Sequence, residues 1–450
     1  MAATTTLQKP PSWPEQLVWL LFDTARQTPA HWLFLGFIAL LGLGLATIFV
    51  GLHLLAPKPR APSPSEKTYI TTNPDGTASS PRPLPCWYDR WLAEGRLRQE
   101  SRYPTIPAGF PVPDTGAIEP AEVDISVVIP AYNEEDRIIP TLEEMVEYLD
   151  QRFGRPASSA AATTAASPGK KKKFGAGAGS ATKPHRLVFK NQHGGGAAAA
   201  AKDTSPPPSG GYEIIIVNDG SRDRTVQVAL DFSRRYGLHD VLRVVTLERN
   251  RGKGGGVTHG FRHVRGRYAV FADADGASRF SDLGKLIEGC EDVVDGSNRG
   301  VAIGSRAHLV GSEAVVKRSA IRNFLMRSFH FVLMILTPPA TSRIRDTQCG
   351  FKLFSRAALP HIVPYMHSEG WIFDIEMLML AESAPATPVL AGDGSVIGSS
   401  YGIKVAEVPV AWHEVDGSKM NLVQDSVRMA VGLAVLRASW MLGVYRRRLA

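Results

Sequence analysis

The chain has 450 residues, 44 % of them hydrophobic and 21 % charged, the balance of a globular protein carrying added apolar segments. Its net charge of +8 favours anionic partners, namely phosphates or acidic lipid; no zinc-finger spacing, heptad zipper or aromatic–basic recognition strand is present, which sets nucleic acid aside. Three cysteines, Cys86, Cys290 and Cys349, are too few and too scattered for a disulfide framework or a CxxC metal pair, and read as reduced thiols.

Residues 1–31 form an N-terminal segment ahead of Trp32–Leu55, WLFLGFIALLGLGLATIFVGLHLL, which carries no formal charge. This run is long enough to cross a hydrocarbon layer of about 30 Å and too long for a signal-peptide core. It reads as a permanent single-pass anchor. Lys58, Arg60 and Lys67 follow it, whereas Lys9 and Arg26 precede it among Glu15 and Asp23; the positive-inside rule then puts the C-terminal part in the cytosol. Residues 56–122 are expected to be a linker and juxtamembrane region, with 56–85 rich in Pro, Ser and Thr.

From Val123 to the C-terminus strand-like and helix-like runs alternate. ISVVIPAY is a strand, and Leu142, Met145, Val146 and Leu149 mark one face of a helix whose first turn tolerates Pro140. Residues 154–211, with Ala runs, Lys170–Lys173 and Pro206–Pro208, cannot build a core and are expected to be a disordered insertion. EIIIVNDG (strand), RTVQVALDFSRRY (helix), LRVVTLER (strand), a helix bearing Val257 and Phe261, and RYAVFADAD (strand) follow. Such alternation predicts an α/β domain with a mostly parallel sheet, whose ligands bind at the carboxyl ends of the strands.

The polar motifs fall at those ends. Asp273 and Asp275, two apart at the end of YAVFADAD, would share a face of the strand and could hold Mg²⁺ or Mn²⁺ against phosphate oxygens, or could simply form a solvated turn. Pro130, Tyr132, Asn133 and Glu134 follow the first strand; the ring and the acid suit a nucleoside, and Asn133 alternatively caps a helix. Asp219 follows the second strand and suits a base or ribose, or a turn. Gly252–Gly256, GKGGG, opens a helix whose backbone N–H groups and Lys253 suit a phosphate.

In this order, PAYNE, NDGSRDRT, RGKGGG and DADGA resemble family 2 glycosyltransferases of the GT-A fold, a Rossmann-like sheet with helices on both faces. ERNRGKGGGVTHG, FADADGASRF, GSRAHL, DTQCGFKLF, GWIFDIEML and WHEVDGSKM are similar to eukaryotic dolichyl-phosphate β-glucosyltransferases, and the likeness runs from about Val123 to the C-terminus outside the insertion. Two departures stand out: Asn218 where the family often has Asp, and Ala277 where related mannose synthases that use GDP-mannose often carry Gln.

The resemblance implies UDP-glucose as donor, dolichyl phosphate as acceptor and the endoplasmic reticulum membrane as the location, with the catalytic domain facing the cytosol. It implies that Pro130, Tyr132, Glu134 and Asp219 hold the uridine part, that Lys253 and Asp273 lie near ribose and phosphate, and that Asp275 binds the divalent cation. It also implies that Arg306 meets a phosphate and that Asp346 sits near sugar or acceptor, orienting or deprotonating it. A lipid phosphate is already an anion, so the harder task is bringing two anions together. Lys317, Arg318, Arg322, Arg343 and Arg345 are further cations for it, Arg318 foremost. Asp374 and Glu376, at a helix start, suit the acceptor side or merely the helix dipole. Phe324–Leu336 is too short to span a membrane, and with a C-terminal helix at 427–445 it suits an interfacial position, core packing being the alternative. A mannose synthase, a processive synthase and an inactive nucleotide-sugar-binding scaffold are the competing functions.

Overall fold

The computed structural model describes residues 13–101, 118–156, 210–309, 328, 331–390, 395–415 and 422–447. These form two compact units. One holds the chain to Ala56 together with Ala438–Tyr445; the other begins at Pro57 and runs to Arg437, with Arg446 and Arg447.

The first unit contains helix α1 (Trp13–Gln27) and helix α2 (Ala30–Leu55). At a rise of about 1.5 Å per residue α2 is about 39 Å long. It is long and apolar enough to cross a membrane, as the uncharged run predicts.

The second unit is built on a seven-stranded sheet. In chain order the seven strands of that sheet and the longer helices are α3 (Trp87–Ser101), β1 (Val123–Ala131), α4 (Ile138–Arg152), β2 (Tyr212–Asn218), α5 (Thr225–Tyr236), β3 (Leu242–Thr246), α6 (Gly252–Phe261), β4 (Gly266–Ala272), α7 (Leu283–Val293), β5 (Val301–Ser305), β6 (Phe351–Ser355), α8 (Phe373–Glu382), β7 (Val405–Pro409) and α9 (Leu422–Met441). The strand order is β7-β5-β6-β4-β1-β2-β3. Only β6 runs antiparallel to its neighbours β4 and β5. The order reverses direction beside β1, and an open α/β sheet of this order places its ligand crevice at the carboxyl ends of the strands there, β1 and β4.

Burial explains the near-continuous apolar strands. Ile125, Val127, Val128 and Ile129 of β1 and Ile214–Val217 of β2 are fully buried, as both faces of a parallel sheet require. The predicted helical face of α4 is buried too, through Leu142, Met145, Val146 and Leu149. Helix α6 lies unusually close to the sheet: a Cβ on Gly260 would collide with the Val128 side chain, so only glycine fits there.

Three expectations need correction. The span at 56–85 is not a loose linker: from Pro57 onward it is part of the second unit. Thr68–Tyr69 pairs with Arg82–Pro83, Ile70 bridges to Val244 of β3, and Glu66, Thr71 and Thr72 are buried. Trp87 beyond it is buried and donates its indole N–H to Phe261 O at 2.7 Å. A Pro, Ser and Thr-rich composition misled because these residues bury hydroxyls rather than methyls; Thr71 Oγ1 donates to Leu242 O at 2.7 Å. Second, β4 stops at Ala272, so Asp273–Asp275 form the turn beyond the strand and the two-residue strand period does not set their directions. Third, Asn133 does not cap α4, whose N-cap position is Arg137; Asn133 takes a left-handed conformation with φ 53°.

Insertion residues 157–209 lie outside the described residues, as do Lys317, Arg318, Arg322 and Lys419. Within the predicted Phe324–Leu336 helix, residues 331–336 are helical, with Phe331, Met334 and Ile335 exposed on one side and Leu333 buried. Helix α9 buries Met429, Leu433 and Leu436 and exposes Val427 and Val431, so one face is packed. Beyond α9, Arg447 donates to the backbone oxygens of His361 and Leu380 and covers the Tyr365 ring.

Candidate active site

The loops leaving β1 and β2 are stitched together. Asn133 N donates to Ser221 Oγ at 3.0 Å, and Arg222 N donates back to Asn133 Oδ1 at 2.8 Å. Glu134 N donates to Thr225 Oγ1 at 2.8 Å, while both carboxylate oxygens of the buried Glu134 accept from Arg137 at 2.9 Å. Pro130, near the end of β1, packs against Gly256 of α6, and Tyr132 follows half-buried. Asn218 serves its turn by accepting from Ser221 N at 3.0 Å, a task that needs an oxygen but no charge.

Asp219 joins this crevice to the glycine-rich helix. Its Oδ1 accepts from Arg251 N at 2.6 Å and its Oδ2 from Gly252 N at 2.8 Å, so a carboxylate from β2 caps the positive end of α6. Burial pushes this carboxyl up to about 6, against the two backbone N–H bonds that pull it down. One residue on, Lys253 reaches across to the turn after β4 and pairs with Asp273 at 2.6 Å. Burial alone would lower the Lys253 pKa, but Asp273, Asp374 and Asp275 raise it, so the ammonium stays charged. Gly350 makes room for Asp273: a Cβ there would overlap its carboxylate. Asp275 lies beside it, half-buried, with Oδ1 accepting from Ala277 N at 3.1 Å.

A second polar group faces the same turn from the far half of the sheet. Arg306, just past β5, donates Nε–H to Asp346 Oδ2 at 2.7 Å and Nη2–H to Asp346 Oδ1 at 2.9 Å, a two-pronged pair. Burial pushes Asp346 up, but Arg306 outweighs it and holds the carboxyl below its usual range. The guanidinium lies over the Trp412 ring at 5.5 Å and stays charged in the field of Asp346 and Asp273. Trp412 is carried by a segment that pairs with the DADGAS turn: Ser278 bridges to Trp412, and His413 N donates to Ala277 O at 2.9 Å. Glu407 accepts from Ser305 Oγ at 2.7 Å and from Asp346 N at 3.0 Å, which fixes both ends of this pair. Arg343 and Arg345 are exposed nearby in sequence.

Sequence reasoning passed over Lys352, Glu407, Glu369 and Glu66. Lys352 lies in β6, fully buried, with Nζ at 2.5 Å from Asp374 Oδ1 and 2.6 Å from Cys349 O. A lysine inside the apolar string FKLF was the available signal, because buried lysines are almost always paired. Asp374, in the first turn of α8 as the helix-start reading has it, is also the counter-ion of Lys352. Glu376, also buried, accepts from the backbone N–H groups of His367 and Ser368.

Asp273 and Asp275 are hard oxygen donors suited to Mg²⁺ or Mn²⁺. Among the described residues no cluster of three or more His, Cys, Asp or Glu side chains is placed to hold a metal. The two carboxylates fit a cation that takes its remaining ligands from phosphate oxygens and water, the usual habit of Mg²⁺.

Comparison with known proteins identifies the family. Residues 198–359 match the profile described as glycosyl transferase family 2. Dolichyl-phosphate beta-glucosyltransferase of Saccharomyces cerevisiae is 35 % identical over 418 residues, covering 91 % of this chain and 94 % of that one. The chain belongs to the dolichyl-phosphate beta-glucosyltransferase family. The Homo sapiens member is 33 % identical, covering 72 % of this chain and 77 % of its own, and the Drosophila melanogaster member is 34 % identical with the same coverage. Among solved structures, glucosyl-3-phosphoglycerate synthase of Mycobacterium tuberculosis with Mn²⁺, UDP-glucose and phosphoglyceric acid is a distant likeness, with a TM-score of 0.39 at 16 % identity over 70 % of this chain and 80 % of that one. Membership makes this chain a glycosyltransferase.

Proposed function

We propose that the protein transfers glucose from UDP-glucose to dolichyl phosphate, forming dolichyl β-D-glucosyl phosphate with inversion at the anomeric carbon. In the step, an oxygen of the acceptor phosphate forms a bond to the anomeric carbon while the bond from that carbon to UDP breaks, and UDP leaves with the electron pair. The acceptor is already an anion, so no strong general base is required. A divalent cation at Asp273 and Asp275, when bound, supplies Lewis-acid stabilisation of the departing diphosphate.

The chain's own residues divide the remaining work. Pro130, Tyr132, Glu134 and Asp219 line the nucleoside side, where Asp219 also fixes the N-terminus of α6. Lys253 exchanges its bond to Asp273 for the donor phosphates. Arg306, desolvated and still charged, offsets the repulsion between donor and acceptor, with Arg318 as a further cation for the acceptor. Asp346 orients Arg306; a carboxylate held below its usual range is a poor base, so orientation is its part. Helix α2 anchors the enzyme in the endoplasmic reticulum membrane with the sheet domain on the cytosolic side, and the exposed Phe331, Met334 and Ile335 suit contact with the lipid that carries the acceptor.

The observation that carries this reading is the 2.6 Å contact of Lys253 with Asp273 in a chain 35 % identical to a dolichyl-phosphate beta-glucosyltransferase. The test is to supply the membrane-embedded protein with dolichyl phosphate and labelled UDP-glucose, UDP-galactose or GDP-mannose and to identify the lipid product. Glucose transfer from UDP-glucose is expected; mannose transfer, or nucleotide binding without any lipid-linked sugar, overturns the reading.

A further inference from the structure

We propose that Glu66, in the segment between the apolar helix and the sheet domain, is a positioning residue for the loop that presents Lys253 to the nucleotide-sugar. The proposal rests on Lys253 being a donor-binding group, as argued above.

Glu66 is a carboxylate only 2 % exposed, and each of its oxygens is engaged. Oε1 accepts from Glu248 N at 3.0 Å; Oε2 accepts from Ser63 N at 3.0 Å and from Arg251 Nη2 at 2.5 Å. Its backbone oxygen meets His259 Nε2 at 2.9 Å. One residue therefore grips the exit of β3, the residue before α6 and the last turn of α6. Arg251 receives further support from the same segment, its Nη1 donating to Arg60 O at 2.6 Å and its Nη2 to Ala61 O at 3.2 Å, and its Nη1 also lies 3.6 Å from Glu369 Oε1. Arg60 in turn pairs with Glu369 at 2.9 Å, and Glu369 O accepts from Gly255 N at 3.1 Å.

The loop is thus held from two sides. Asp219 binds the backbone N–H of Arg251 and Gly252 from within the crevice, and Glu66 binds the Arg251 side chain from outside. Gly252 has no slack, since its φ is +79° and a Cβ there would press on Glu369 O. Lys253 is the next residue, so its reach to Asp273 is set by how Arg251 is held. A buried carboxylate and guanidinium cost more in desolvation than an apolar pair, and removing one partner leaves the other charge stranded. A segment needed only to join a helix to a domain has no use for that arrangement.

The test uses the full-length protein in membranes, comparing wild type, Glu66→Gln, Arg251→Lys and Arg82→Ala. Arg82, elsewhere in the same segment, pairs with Asp240 just before β3 and serves as the control. Glu66→Gln is expected to raise the KM for UDP-glucose and the Kd for UDP about tenfold, the scale of one charged hydrogen bond. The KM for dolichyl phosphate stays within the spread of the control, while the unfolding temperature falls below it because a buried charge loses its partner. Arg251→Lys keeps the charge but cannot span the same acceptors, and is expected to behave like Glu66→Gln. Unchanged UDP-glucose KM in both variants, equal loss for donor and acceptor, or failure of both to fold overturns the proposal. Absence of glucose transfer by the wild type instead sinks the functional reading, and the Kd for UDP then still reports on Glu66.

Discussion

Two lysine–aspartate pairs stand behind the same strand ends, and their surroundings give them different work. Lys352 and Asp374 have side chains 0 % and 4 % exposed; Lys253 and Asp273 are 19 % and 30 % exposed. The first pair is sealed, with the lysine also bound to Cys349 O, so no ligand can reach it and its charge serves the packing of β6 against α8. The second pair opens onto the crevice, so a phosphate or cation can take the place of either partner. Asp374 also contributes to the field that keeps Lys253 charged. The same two side chains make a fixed strut in one place and an exchangeable contact in the other, and exposure decides which.

The comparison breaks most visibly if the sealed pair proves dispensable. Lys352→Met strands Asp374 in the interior and is expected to cost about 3–5 kcal/mol of stability, read as a large fall in the unfolding temperature. Adding Asp374→Leu should recover much of the loss, because an apolar pair needs no compensation there. Lys253→Met should do the reverse: turnover falls about a hundredfold, as when one transition-state donor is lost, while stability barely moves.

Asp219 sharpens the contrast through pH. Its carboxyl is raised from 3.8 to about 6 by burial, so folding favours the protonated form. Its contribution to stability is therefore full below pH 3.8 and is lost as pH rises through 6. Function runs the other way, since the charged form caps α6. The KM for UDP-glucose is expected to rise roughly three- to fivefold as pH falls through 6, the size of a charge at a helix N-terminus, and Asp219→Asn should flatten that inflection. The smallest effect is expected at Trp412, whose ring lies against Arg306: Trp412→Ala should lower turnover only a few-fold, about 0.5–1 kcal/mol.

Much of this was legible in the sequence, for identifiable reasons. Strands β1 to β4 announce themselves because both faces of a parallel sheet must be apolar, and Lys253, Asp219 and Asp273 sit where those runs stop. Strand β6 was harder to see, since it runs antiparallel and carries Lys352, a charge that only a distant Asp374 makes tolerable. The Glu66 segment was misread for a related reason. Its burial depends on partners such as Arg251 and Glu248, far along the chain, and its own composition resembles that of a solvated linker. Local pattern reports local burial; pairs that compensate each other across the fold leave no such mark.

The most direct measurement is glucose transfer by Asp275→Ala from UDP-glucose to dolichyl phosphate, with the unfolding temperature recorded on the same preparation. The site described here predicts a loss of at least about a hundredfold in turnover at an unchanged unfolding temperature. Near-normal turnover in that variant would contradict it, because the crevice would then be working without the carboxylate assigned to the cation.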